Sequence, residues 1–226
     1  MISGLKTTSP EHPGWRHLGA LLWAGFRDRA GLTSHVLAAL ALILSTLPAQ
    51  AFDLGTLMGQ LALRGSGEAR FTEQRFVSGL EQTLQSSGHL SFQAPDKLAR
   101  HTVLPRAESF VVEGNRLVLE RGGRVRQMAL DSVPEIAAIV AALRGTLSGD
   151  STVLHQHFRP SLSGQAGQWT LTLVPLDERL AGVITQLRLG GSRADLLTVE
   201  VLLADGDRSL MKIEPLAAGK GRAASP

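Results

Sequence analysis

The sequence contains no cysteine and no tyrosine, and only 4% of its residues are aromatic. Without cysteine there is no disulfide, no thiolate metal site, no cysteine nucleophile and no lipid-modified cysteine at a processing site. Without tyrosine, and with few other aromatics, the basic residues have no stacking side chains interleaved among them, which removes the usual pattern of a nucleic-acid surface. A formal charge of +3 does not restore it. Four of the 23 basic residues and two of the 20 acidic ones precede residue 52, so the rest of the chain carries 19 against 18 and is close to neutral.

Catalytic signatures are missing as well. No G-x-S-x-G elbow occurs; Gly65-Ser66-Gly67 and Ser148-Gly149 have the wrong spacing and fit turns. His155 and His157 stand at i and i+2 of an expected helix, point to different faces and make a poor metal pair. Asp205 and Asp207 flank Gly206 and read as hairpin residues rather than calcium ligands. The expectation is a protein that is not an enzyme and has no cofactor or metal.

Long apolar runs are also lacking. The run at 36–47 is too short to span a bilayer comfortably. It follows Arg27, Arg29 and His35 and ends in Pro48-Ala49-Gln50-Ala51, which predicts a secretory leader cleaved after Ala51. Arg27 and Arg29 are separated by Asp28, so this is not a twin-arginine signal. The segment before the run is long for a leader: either the n-region is extended or translation starts downstream of Met1. An exported chain without cysteine fits a bacterial periplasm. Residues 52–216 suffice for one domain, and the small, polar stretch at 217–226 reads as a disordered tail.

What is present is organised around residues 88–121. Leu90 and Phe92, Phe110 and Val112, then Leu117 and Leu119 each alternate with neighbours of the opposite face, the period of half-buried strands. Breaks at Ala94-Pro95-Asp96, Pro105-Arg106 and Glu113-Gly114-Asn115 leave room only for tight antiparallel connections, so this stretch is a meander. Strands are also expected at 69–80 and 83–92, at 124–130, at Trp169, Leu171 and Leu173, and at 184–189, 197–203 and 210–213. A helix is expected at 52–64, with Leu54, Leu57, Met58 and Leu61 on one stripe. A second runs from a Ser132 cap to Gly145, with Ile136, Ile139, Val140 and Leu143 on one side, and a third from Asp150 to Pro160. Two amphipathic helices inserted among strands are a natural cover for the apolar face of a sheet.

That order, with ARFTEQRF in the first strand, GHLSFQAPDKLARHT in the next pair and the turn at Gly114-Asn115, resembles the LolA-like periplasmic carriers of outer-membrane lipoproteins. Phe71, Gln74, Gly88 and Pro95 are its anchors. The resemblance implies a mainly β (α+β) fold: an incomplete, strongly curved antiparallel β-barrel with short lid helices over a hydrophobic cavity for acyl chains. On that reading Leu90, Phe92, Leu98, Phe110, Val112, Leu117, Leu119, Leu171 and Leu173 line the cavity, and Ile136, Ile139, Val140 and Leu143 face it from the lid. The same positions would fill an ordinary core if nothing were carried. The implied partners are an acylated lipoprotein or other amphiphilic lipid, an inner-membrane release machinery and an outer-membrane receptor, with the carrier itself a monomer. The alternatives are a carrier of a glycolipid or polyene-type lipid, and a lipid-sensing or docking domain that carries nothing.

Two departures from the family pattern stand out. Family carriers place an arginine that holds the lid just before the proline matching Pro95, where this chain has Ala94; and little structured sequence is expected after Ile213, where the family continues. Arg100 is the nearest replacement for the lid arginine. If Leu98 faces the cavity, so do Arg100 and Thr102; if Ala99 and Val103 do, Arg100 points to solvent.

Overall fold

The computed structural model describes residues 52–216; the expected leader and the expected tail lie outside the described residues. A short helix, α1 (Leu54–Ala62), leads into β1 (Ser66–Phe76), β2 (Leu84–Gln93), β3 (Lys97–Leu104), β4 (Glu108–Glu113), β5 (Arg116–Arg121) and β6 (Arg124–Ala129). A 3-10 turn at Leu130–Ser132 and two helices, α2 (Pro134–Ser148) and α3 (Ser151–His157), follow. The chain then returns through β7 (Phe158–Gln165), β8 (Gln168–Pro175), a single turn α4 (Glu178–Ala181), β9 (Ile184–Ser192), β10 (Asp195–Leu203) and β11 (Arg208–Pro215).

Among the described residues the strands form one 11-stranded antiparallel sheet in the order β6-β5-β4-β3-β2-β1-β11-β10-β9-β8-β7. The first and last strands pair in its middle, so β6 and β7 are its free edges and the sheet does not close. The segment that joins those two edges in sequence is the helical insert α2–α3. An open antiparallel sheet needs something over its concave face, and the insert is positioned to supply it.

Local chemistry sets the helices. The Asp53 carboxylate accepts from the Thr56 N–H at 2.8 Å and caps α1. Asp150 caps α3 in the same way through Thr152 and Val153. Pro134 occupies the first turn of α2, but Ser132 is no cap, since its hydroxyl donates to the Ala129 carbonyl. Nor does α2 stop at Gly145. It runs on to Ser148, and Gly149 ends it in the left-handed region at φ 72°. Gly145 serves a packing purpose instead: a Cβ there would lie 3.1 Å from the Asp150 carbonyl oxygen and from the Leu154 side chain, where α3 crosses. A Cβ at Gly149 would meet the Met58 carbonyl oxygen at 2.3 Å, so α1 and α2 approach closely only because this residue has none.

The third helix differs from the expectation in its end. It finishes at His157, and Phe158 already pairs with Pro175 as the first residue of β7. Sheet pairing and the complete burial of Phe158 override the helical pattern, and Pro160 is tolerated because β7 is an edge strand with a side that needs no N–H donor.

Two apolar clusters result. The larger lies between α1, α3 and part of α2 on one side and β8–β10 on the other, with Leu57, Leu61, Leu154, Trp169 and Leu187 at its centre. The smaller joins Val112 and Leu117 to Leu130 and Val140.

Candidate functional site

A cavity of about 950 Å³ lies between α2 and the concave face of β1–β6 and β10–β11. That volume is at the upper end of what ligand pockets occupy, about 300–1,000 Å³, and close-packed interiors leave few voids larger than a water molecule. Register explains its wall. Leu119, Phe110, Arg100, Leu90 and Ala69 are successive cross-strand partners on β5 to β1, so their side chains form one row on the concave face. Leu117, Val112, Leu98 and Phe92 form the next row.

Of the positions expected to line the cavity, Leu90, Phe92, Leu98, Phe110 and Leu119 do so from the sheet, and Ile136, Ile139, Val140 and Leu143 do so from α2. Four lie elsewhere. Val112 and Leu117 are covered by Val140 and Leu130 in the smaller cluster, and Leu171 and Leu173 are sealed in the larger one; all four are 0% exposed. The sequence reading missed the opposite wall, where Leu196, Val199, Val201, Met211 and Ile213 from β10 and β11, with Leu147 from α2, also border the space. Val199 and Val201 alternate with Thr198 and Glu200, and Met211 and Ile213 with Lys212 and Glu214, so each strand shows an inward face; that these faces border the same space as β1–β5 follows only from the pairing of β11 with β1.

Leu98, Arg100 and Thr102 share the cavity side of β3. Arg100, however, is engaged within the sheet rather than with α2. Its Nη2 donates to Glu73 Oε2 at 2.5 Å and to Ser86 Oγ at 3.2 Å, and its guanidinium carbon is 4.7 Å from the Phe71 ring centroid. Glu73 also accepts a short hydrogen bond from the Ser209 hydroxyl. Burial alone pushes the Glu73 carboxyl up, but the Arg100 charge and the hydrogen bonds from Ser209, Ser86 and Arg100 outweigh it and hold the group below the ordinary carboxylate value. An ion pair thus sits in an otherwise apolar wall, with the Arg100 Nε buried beside it and without an acceptor among the described residues.

The contact between helix and sheet is made by Arg144, a residue the sequence reading did not single out. From α2 its Nη1 donates to the Gly114 carbonyl at 2.9 Å, and its Nη2 donates to the Asp96 carbonyl. Burial pulls the guanidinium pKa down, and the Asp96 carboxylate partly offsets this. The acceptors belong to the β3-flanking turn that contains Pro95 and to the β4–β5 turn, so the donor stands on the lid and the acceptors on the sheet. Ala94 lies two residues from Asp96 and needs no side chain for this arrangement.

One end of the concave face is charged. Thr102, Glu108, Arg121 and Arg124 are successive partners across β3 to β6; Arg121 pairs with Glu108 at 2.9 Å, and Arg126 follows Arg124 on the same side of β6. Among the described residues no group of three or more His, Cys, Asp or Glu is placed to hold a metal, and no helix is long and apolar enough to cross a membrane. His155 and His157 are both exposed.

Over residues 46–225 the sequence matches the family described as outer membrane lipoprotein carrier protein LolA-like. The chain belongs to the LolA-like family. Its fold is an open 11-stranded antiparallel sheet with a few short helices. Similar solved structures include a LolA superfamily protein from Nitrosomonas europaea, at 8% identity and TM-score 0.36, covering 70% of this LolA-like chain and 91% of that one. The lipoprotein LppX from Mycobacterium tuberculosis is similar at 9% identity and TM-score 0.36, covering 71% and 93%. MucB, in its complex with MucA from Pseudomonas aeruginosa, is similar at 14% identity and TM-score 0.33, covering 74% and 58%. No curated protein matches the chain.

Proposed function

We propose that this LolA-like chain is a periplasmic carrier that takes acyl chains of lipoproteins or related amphiphiles into the cavity beneath α2 and shuttles them toward the outer membrane. The observation that supports the reading is the cavity of about 950 Å³ itself, walled by apolar side chains from seven strands and roofed chiefly by α2, with Leu61 of α1 beside it. Such a wall needs no polar motif to bind lipid, because each methylene taken out of water contributes about 0.8 kcal/mol. The absence of catalytic and metal-binding signatures in the sequence fits a protein that moves its ligand without altering it.

In this reading α2 is the movable part. The Arg144 contacts to Gly114 and Asp96 hold it over the sheet, and cargo enters or leaves when they part. Hydrogen bonds from a charged donor are worth about 1.5–3 kcal/mol each, enough to favour a closed state without locking it. Loading from an inner-membrane release machinery and unloading to an outer-membrane receptor are the two exchanges such a carrier requires.

Native mass spectrometry of the protein purified without detergent, followed by delipidation, tests the proposal. An amphiphile should leave with delipidation, and the stripped protein should bind an environment-sensitive apolar dye that acyl ligands displace. The mass of the released compound separates a lipoprotein acyl group from a glycolipid or polyene. A protein that carries no amphiphile and binds neither dye nor acyl ligand is not a carrier.

A further inference from the structure

From the charged end of the cavity we infer that the cargo is an anionic amphiphile whose phosphate or carboxylate head is held by Arg124 and Arg126; the inference rests on the carrier reading above. Both arginines stand on β6, at i and i+2, and so project from the same side of the strand, about 7 Å apart along it. That side is the cavity side: both border the space, while Val125 between them is 65% exposed on the other. Register fixes their neighbours. Arg126 faces Leu119, at the end of the row that continues through Phe110, Arg100 and Leu90, and Arg124 faces Arg121.

Charge completes the argument. The cations that border the cavity elsewhere are already paired: Arg64 with Asp195, Arg75 with Asp207, Arg100 with Glu73 and Arg121 with Glu108. Arg124 and Arg126 have no anionic partner among the described residues. Glu120 also borders the space, but it is on the alternate face of β5, opposite Val125. An acyl chain lying over Leu119 and Phe110, on the near side of the Arg100–Glu73 pair, therefore ends at two guanidinium groups with free donors. Guanidinium forks match phosphate and carboxylate oxygens in pairs, so an anionic head completes the site where a neutral one leaves its donors to water.

β6 is an edge strand, and inward charges on an edge also discourage strand addition. That role makes no distinction between head groups, which is what the test reads. Dye displacement is measured for a set of ligands with one acyl chain and different heads: the fatty acid, the lysophosphatidic acid, the lysophosphatidylcholine and the monoacylglycerol, with inorganic phosphate as the head alone. The anionic pair should bind at least about tenfold more tightly than the zwitterionic and neutral ligands, and the margin should shrink as salt rises. Whichever of carboxylate and phosphate binds more tightly identifies the head. The double variant Arg124→Glu/Arg126→Glu should lose the margin and keep its monoacylglycerol affinity, which also reports that it is folded. Equal binding of all four heads, or a margin that survives the double variant, overturns the inference while leaving the carrier reading intact. Failure of every acyl ligand to displace the dye overturns both.

Discussion

Arg144 occupies the place in the energetics that Arg100 seemed fitted for from sequence. Position 94 carries no side chain long enough to reach a helix, so the hydrogen-bond donor comes from the helix itself. Replacing Arg144 by Leu keeps the apolar stem and removes both bonds, so stability should fall by about 1–3 kcal/mol, and a bound apolar dye should dissociate faster in stopped-flow measurements. Unchanged dissociation with the expected loss of stability would make Arg144 a structural contact and nothing more. Glu73 gives a prediction in pH. Its folded-state pKa is depressed, so the stability it contributes is present above the ordinary carboxylate value and is lost as pH falls through the lower folded value. The wild type should therefore exceed Glu73→Gln in melting temperature at neutral pH, with the gap closing as pH falls below the ordinary carboxylate value. A pH-independent gap would point to packing rather than ionisation.

The elements differ in how far the sequence revealed them. β2 to β5 were legible because Leu90, Phe92, Phe110 and Leu119 alternate with neighbours that face the other way and tight turns separate the runs, and α3 began where Asp150 announced it. α2 outran its expected end because Gly145 is there for the crossing of α3, a tertiary reason that no local pattern carries. The start of β7 was hidden for the same kind of reason, since only pairing with β8 makes Phe158 a strand residue. Within the site, the inward faces of the strands could be read from alternation, whereas the meeting of the β1–β5 and β10–β11 walls through the β1–β11 pairing, and the partners of Arg144, 30 and 48 residues away, could not. Gly149 ends α2 directly before Asp150, the cap of α3. A valine there needs a left-handed backbone and collides with Met58 and Ala62, so Gly149→Val should lower stability by roughly 2–4 kcal/mol in denaturant unfolding. Little change would mean that α1 can move away from α2 at low cost.

At the scale of the whole molecule, the sheet pairs its first strand with its last and leaves its edges to the helical insert. The same topology that prevents closure leaves one face of the sheet partly uncovered, and the two apolar clusters flank a space instead of merging into one core. The proposed carrier role requires export, and the intact mass of protein recovered from the periplasm should correspond to a chain that begins at Phe52; a retained leader would contradict the expected cleavage. The central claim is that an acyl chain lies in the cavity under α2. Trp169 supplies an internal control, because it is 1% exposed in the larger cluster and is the sole tryptophan after residue 51. The most direct measurement is quenching of tryptophan fluorescence by a brominated fatty acid in the chain from residue 52 onward, with and without Leu119→Trp. The account predicts strong quenching of the tryptophan at position 119 and little of Trp169; equal quenching of both, or of neither, would contradict it.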